Sequence, residues 1–265
     1  MYPYIHLGGI TIGTFGICLW LAAVCACWVL HRNFQRHGVA ADAVAVVAYV
    51  TLLGVAGAKL WHVLEDPAML VRHPFLLLFD RAGCAWYGGM LAGIAVLLFQ
   101  GWRAGVGPVG MLDLASPAAA AGYGVGRIGC LVSGDGDYGV PTNLPWGMSF
   151  PHGLVPTDRR VHPTPIYELI GALLIAWLLW RRGRPRSGTA AEPPTGELTG
   201  DYLILSGIAR FAVEFIRINP RVDWGMSNAQ VASLGSVLAG ILLLLWARRH
   251  AGKQADRPAA EEVKA

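Results

Sequence analysis

Charged side chains are spaced unusually far apart along this chain. From Leu7 to Leu30 there is not one Asp, Glu, Lys or Arg, enough apolar residues to cross a bilayer as a helix. Six more runs of similar length follow, bounded by charges or by Gly and Pro. Together they predict seven membrane-spanning helices over about 7–30, 41–63, 83–102, 110–131, 164–181, 201–218 and 226–247. The stretches about 65–81 and 132–163 break the pattern with Pro67 and Pro74 in the first and repeated Gly and Pro in the second. The longer one also carries Asp135, Asp137, Tyr138, Trp146, His152, Arg159, Arg160 and His162. A connection of that length is functional or disordered more often than incidental, and its chemistry favours function.

Composition agrees. Of 265 residues, 54% are apolar and 14% charged, and the mean hydropathy is +0.46. Soluble domains carry about 25% charged residues, so the balance argues against a soluble enzyme, a disordered chain and a nucleic-acid binder. The net charge of +4 says less than its placement. No basic residue precedes the first apolar run, which excludes a cleavable signal, and Arg32 and Arg36 follow it. By the positive-inside rule that flank is cytoplasmic and the N-terminus lies outside. Arg103, Arg181, Arg182, Arg184, Arg186, Arg248 and Arg249 then fall inside as well, against Arg72, Arg81, Arg159, Arg160 and Arg221 outside. The expected fold class is therefore an all-α integral membrane protein of about seven transmembrane helices, N-terminus outside and C-terminus cytoplasmic. Residues 1–250 form one polytopic domain with the outer loop 132–163. Residues 186–200 read as a cytoplasmic linker and 251–265 as a disordered cytoplasmic tail. The five cysteines (Cys18, Cys25, Cys27, Cys84, Cys130) show neither a disulfide framework nor zinc spacing.

Ionisable side chains inside a span cost about 2.5–3.5 kcal/mol each on insertion scales, so they need partners and mark candidate sites. Arg210, Glu214 and Arg217 stand at i, i+4 and i+7 of the sixth run and share one helical stripe. One carboxylate against two guanidiniums leaves that stripe net positive, so an external anion can bind there; the bland alternative is a structural ion-pair ladder. Arg127 lies in Gly124-Val125-Gly126-Arg127-Ile128-Gly129. The glycine spacing mimics a dinucleotide fingerprint, but an apolar helix with no preceding strand is the wrong context. Gly122 and Gly126, like Gly89 and Gly93, instead fit close helix packing, and Arg127 alone could also be a snorkelling anchor. The fifth run opens His162-Pro163-Thr164-Pro165-Ile166-Tyr167-Glu168, a proline-marked helix start bringing His162, Tyr167 and Glu168 to one membrane edge.

These blocks resemble prolipoprotein diacylglyceryl transferases, integral inner-membrane enzymes of bacteria. Gly126-Arg127-Ile128-Gly129 with the Ser133-Gly134-Asp135 turn is similar to the family's Gly-Arg-x-Gly-Asn-Phe-x-Asn-Gly-Glu signature. His162–Glu168 resembles its His-Pro-x-Gln-Leu-Tyr-Glu, and Arg210–Arg217 its Arg-Phe-x-x-Glu-x-x-Arg, followed by Met226-Ser227-Asn228-Ala229-Gln230 and Ser233. Trp86-Tyr87-Gly88-Gly89 is similar to its His-Gly-Gly block. The chain departs from these patterns in five places. Tyr87 replaces the histidine before the glycines, Cys130 the signature asparagine, Ser133 and Asp135 the second asparagine and the glutamate. Phe15 replaces the tyrosine before Gly16.

The resemblance implies transfer of a diacylglyceryl group from phosphatidylglycerol to the lipobox cysteine of prolipoproteins, with release of glycerol phosphate, at the bacterial inner membrane. Its partners would be that phospholipid, prolipoprotein signal peptides and membrane lipids, with no cofactor, metal or nucleic acid. A thiolate attacks an sp³ carbon and a phosphate leaves, so fixed positive charge and a proton acceptor are needed. The candidates for the phosphate are Arg127 and Arg210, with Glu214 and Arg217 holding Arg210. Tyr87, with an ordinary pKa near 10, is a poor base in the place of the family's histidine, so either His162 or Asp135 takes the thiol proton or the arginine field alone lowers the thiol pKa. Tyr87, Tyr167, Glu168, Gly88, Gly89 and Cys130 would line the substrate. Two alternatives stand beside this reading: a lipid-binding relative that has lost transfer, and a small anion transporter. The transporter is disfavoured because the halves show no repeated, paired broken helices.

Overall fold

The computed structural model describes residues 2–65, 67–72, 85–185, 195–222 and 224–262, without the side chains at 68, 69, 71 and 252–262. Each expected span has a helix: α1 Thr14–His37, α2 Ala43–Glu65, α4 Trp86–Arg103, α5 Pro108–Ser133, α6 Thr164–Arg182, α7 Glu197–Glu214 and α8 Asn228–Glu262, with a short α3 Pro67–Arg72. Within the described residues, α1, α2, α6 and residues Asn228–Ala251 of α8 are long and apolar enough to cross a membrane. α4 is diluted by Trp86, Tyr87 and paired glycines at its start and by Gln100 and Arg103 at its end. α5 and α7 carry the charged and small residues that build the site described below.

The exteriors of these helices are apolar. Leu19, Trp20, Val24 and Trp28 of α1, Ile170, Leu173, Leu174 and Trp177 of α6, and Leu238, Leu242 and Leu245 of α8 are all exposed. Contiguous apolar surface of this kind is rare on soluble monomers and is what a helix needs against lipid. Inside, small and polar side chains such as Ala118, Ala120, Ser116 and Gln230 are buried beside a few large apolar ones such as Leu179 and Met111.

The chain divides into two compact units, Met1–Val29 with Ser116–Ala265, and Leu30–Ala115. In the smaller, α2 and α4 are pressed together at Gly57 and Gly88: a Cβ on Gly88 would stand 2.3 Å from the Gly57 carbonyl oxygen. Only glycine permits that approach. Asn33 there donates to the Leu114 carbonyl at 2.7 Å. In the larger unit, Ala120, Ala121, Ile175, Ala176, Leu179 and Leu198 form a core shared by α5, α6 and α7. The Gly-x-x-x-Gly reading of α5 holds for Gly122, where a Cβ would meet Ala26 of α1 at 3.1 Å, while Gly124 turns the opposite face to Leu169 and Ala172 of α6. α7 meets α8 through Gly200 and Gly207, and Ser236 donates to the Leu203 carbonyl at 2.9 Å.

Several expectations are corrected. Residues 7–13, read as the start of the first span, belong to an antiparallel hairpin of β1 Tyr4–Leu7 and β2 Ile10–Gly13. Gly8, at φ +61°, opens the turn, and the β-branched Ile10-Thr11-Ile12 favours strand. A charge-free run does not distinguish the two periods. The sixth helix begins at Glu197, inside the expected linker, and stops at Glu214; residues 215–217 form the turn that delivers Arg217. Residues 186–194 lie outside the described residues, as does Cys84. The 132–163 loop is folded: β3 Met148–Phe150 pairs with β4 Thr157–Val161, and Tyr138, Phe150 and Val161 form a small buried core with Tyr138 stacked on Phe150 at 5.1 Å.

Candidate active site

Three helix ends and the folded loop converge in the larger unit. Arg127 comes from the last two turns of α5, Glu168 from the start of α6, and Arg210 and Glu214 from the end of α7 with Arg217 just beyond. Pro165 near the first turn starts α6 and so fixes where Glu168 points. The loop is laced to the end of α7: Val140 N–H donates to the Ile216 carbonyl at 2.8 Å and Gly139 N–H to the His162 carbonyl at 2.8 Å. A Cβ on Gly139 would meet the Ile216 carbonyl oxygen at 2.4 Å, so this crossing demands glycine. It places Asp137 beside Arg217.

The result is one network. Glu168 is its hub. It accepts from Arg210 Nη1 at 2.6 Å and from the Tyr123 hydroxyl at 3.0 Å, and it pairs with Arg127 Nε at 3.2 Å and Arg217 Nη1 at 3.5 Å. Glu214 pairs with Arg210 Nη2 at 2.9 Å and with Arg217 Nε at 3.6 Å, and accepts from Asn219 at 2.6 Å and Ser227 at 2.8 Å. Asp137 bridges the other two arginines, one oxygen taking Arg127 Nη1 and the other Arg217 Nη2. Arg127 also donates to the Tyr123 hydroxyl at 2.8 Å, with its guanidinium over the Tyr123 ring at 4.8 Å. Among these side chains, three guanidiniums face three carboxylates. The stripe on α7 is net positive by itself, as its sequence indicates, and Glu168 and Asp137 arrive from other elements to balance it.

Cys130 lies one turn from Arg127, whose Nη1 points at its sulfur at 3.6 Å, and a carboxylate oxygen of Asp135 lies within 4.8 Å of that sulfur. Asp135 accepts from the Asp137 amide at 3.2 Å. Burial, and then the neighbouring Asp137, pushes the Asp135 carboxyl above its ordinary value. Burial also opposes ionisation of Asp137, but Arg217 and then Arg127 outweigh it and hold that carboxyl below its ordinary value. Cys130, Asp135 and Asp137 have the donor types for a cation and lie within 4.8 Å of one another. Two guanidiniums already on Asp137 make that a poor cation site.

The opposite signs have a measurable consequence. A raised carboxyl destabilises the fold when ionised, and that cost disappears as the pH falls through its folded value. Asp135→Asn keeps the acceptor oxygen and removes the charge. Its melting temperature in detergent is expected to equal or exceed that of the parent at pH 7, the difference closing as the pH falls toward about 4, the ordinary carboxylate value. A variant less stable at pH 7 than at pH 5, relative to the parent, contradicts the assignment.

His162 and Tyr167 are near in sequence but engaged elsewhere. Tyr167 Oη accepts from Trp146 Nε1 at 2.8 Å and lies 3.2 Å from His162 Nδ1. Tyr87 is 45% exposed with its ring edge-on to Trp86 at 5.4 Å, and Gly88 and Gly89 pack against α2; all three lie in the smaller unit. The partners that sequence reasoning missed are Asp137, Tyr123 and Asn219.

A family model described as prolipoprotein diacylglyceryl transferase matches residues 3–246. The chain is 31% identical over 246 residues to the phosphatidylglycerol–prolipoprotein diacylglyceryl transferase of Clostridium tetani, covering 90% of this chain and 94% of that one. It is 32% identical over 260 residues to the enzyme so named from Methylibium petroleiphilum, covering 93% of each chain. For that of Methylococcus capsulatus the identity is 31% over 270 residues, with 93% and 96% covered.

Proposed function

The chain belongs to the prolipoprotein diacylglyceryl transferase family, and from that premise we propose that it moves the diacylglyceryl group of phosphatidylglycerol to the lipobox cysteine of prolipoproteins at the bacterial inner membrane. All seven long helices then span the membrane, with the N-terminus and the 132–163 loop outside and the C-terminus in the cytoplasm. The outer ends of α5, α6 and α7 in that orientation are the ends that carry the arginine cluster.

The observation that carries the proposal is the convergence of Arg127, Arg210 and Arg217 on one buried network whose edge is open at Arg127, Arg210 and Asp137. The cysteine sulfur attacks the glycerol carbon bonded to the phosphate oxygen. The C–O bond breaks, its electrons stay on the phosphate, and a thioether forms. Guanidiniums held in place before the reaction stabilise that departing charge without reorganising. Arg127 meets the phosphate, Arg210 adds a second positive edge, and Glu168 and Glu214 orient both. Free thiols have a pKa near 8.5, so about 3% is thiolate at pH 7. The thiol proton passes to Asp135, which accepts from the Asp137 amide beside the network and whose raised proton affinity suits the task. His162, tied to Tyr167 and Trp146, supports the loop and the substrate-facing side of Tyr167. Cys130 lines the substrate.

The test is transfer from labelled phosphatidylglycerol to a lipobox peptide by the purified protein in detergent. A thioether-linked product with release of glycerol phosphate is expected, with the pH–rate profile changed by Asp135→Asn and unchanged by His162→Gln. Binding of phosphatidylglycerol without any transfer would instead support the lipid-binding alternative.

A further inference from the structure

The three carboxylates of the cluster are not equivalent. Glu214 and Glu168 sit on helices with side chains 1% and 3% exposed. Asp137 sits on the loop, between Gly136 at φ +95° and Gly139, and is 29% exposed. Its backbone is pinned, because Thr164 Oγ1 donates to its carbonyl and its own amide donates to Asp135. Its carboxylate is held chiefly by the two arginines it bridges, with the Cys130 thiol within 4.8 Å beside it. Rotation about its side-chain bonds therefore moves the charge without moving the chain. The bridge itself has a recognisable form: one anion presents one oxygen to Arg127 and a second to Arg217. The two non-bridging oxygens of a phosphodiester present the same pair.

Charge selects the same exchange. With Asp137 in place the six side chains are neutral; with it turned away they are left at +1. A phosphodiester, at −1, restores neutrality. A phosphomonoester carries about −1.5 to −2 at pH 7 and overshoots. Arg210 keeps both Glu168 and Glu214 throughout, whereas the carboxylate contacts left to Arg127 and Arg217 are the longer ones to Glu168 and Glu214, at 3.2 to 3.6 Å, with the neutral Tyr123 hydroxyl also on Arg127. The arginines that lose most when Asp137 leaves are the two best placed to take a replacement anion.

We propose that Asp137 is a stand-in for the substrate phosphate: it occupies Arg127 and Arg217 until the phosphodiester of phosphatidylglycerol displaces it, and it reclaims them as glycerol phosphate departs. The proposal rests on the transferase reading for the identity of the phosphodiester. No covalent bond changes in the exchange. Asp137 is thus a positioning residue that competes with substrate and product for the same two guanidiniums.

Asp137→Asn removes the competing charge and keeps the shape. Three readings are taken in detergent: melting temperature with and without glycerol phosphate, affinity for glycerol phosphate by calorimetry, and KM and kcat with phosphatidylglycerol. The variant is expected to melt lower than the parent without ligand and to recover with glycerol phosphate. Its affinity for that anion rises on the order of tenfold, the factor set by losing one competing charge-assisted contact, and KM falls while kcat does not rise. A plain structural salt bridge gives the same initial loss of stability but no rescue by the anion and no gain in affinity, and that result overturns the proposal. Asp137→Ser repeats the measurement if the asparagine variant does not fold. Failure of both to fold, even with glycerol phosphate present, assigns Asp137 a structural role and also overturns it. Tighter anion binding in a protein that shows no transfer in its parent form would sink the transferase reading and leave the stand-in intact. Transfer by the parent with unchanged anion affinity in both variants would do the reverse.

Discussion

Arg127→Ala is expected to lower diacylglyceryl transfer by about 10²–10³-fold, the usual loss when one preorganised donor to a developing oxyanion is removed. The reason is its position. Arg127 alone among the three arginines contacts all of Asp137, Glu168, the Tyr123 hydroxyl and the Cys130 sulfur. Its side chain is 16% exposed, dry enough for its charge to act at low dielectric and open enough to be reached. Replacing it removes contact with the phosphate and also leaves Asp137 with one arginine and Glu168 with two. Transfer to a lipobox peptide, measured alongside melting temperature, separates the chemical loss from the structural one. Arg127→Lys is expected to recover the fold better than the rate, because a point charge cannot serve Asp137 and Glu168 through separate nitrogens as a guanidinium does. Transfer near the parent rate in a folded Arg127→Ala protein contradicts the role.

The second large effect is on stability. Glu168→Ala leaves Arg127, Arg210 and Arg217 each short of a partner in a buried site and is expected to cost about 3–5 kcal/mol, the range for breaking a buried ion pair from one side. Reversible unfolding in detergent, or the melting temperature where unfolding is irreversible, reads the loss. Glu65→Gln is the comparison. Glu65 pairs with His62 at 3.9 Å with a side chain 55% exposed, and exposed pairs contribute about 0–1 kcal/mol. Equal losses from the two substitutions would mean that Glu168 is no hub.

Much of this arrangement is legible in the sequence, for reasons that differ by element. The long helices announce themselves because lipid forbids exposed charge, and charge-free runs of sufficient length are rare by chance. The Arg210, Glu214 and Arg217 stripe is readable because helical spacing alone aligns it. Glu168 is readable from its place just after a proline-marked helix start. The β1–β2 hairpin is not, since Ile5, Leu7, Ile10 and Ile12 look like part of a span when only charge is counted. Asp137 is harder still. It lies ten residues from Arg127 and 80 from Arg217, and no period connects a loop residue to either. Its pairing follows from the crossing at Gly139, where the close approach to Ile216 is a property of the folded chain. The balance of charge was hidden for the same reason: the helical stripe reads as net positive because its neutralising carboxylates come from other elements.

The central claim is that the arginine cluster grips the phosphate of the lipid substrate. A structure of the protein with phosphatidylglycerol in nanodiscs tests it most directly. The account predicts headgroup density with the phosphate within hydrogen-bond reach of the Arg127 guanidinium. A headgroup bound elsewhere, with Arg127 still held between Asp137 and Glu168, would contradict it.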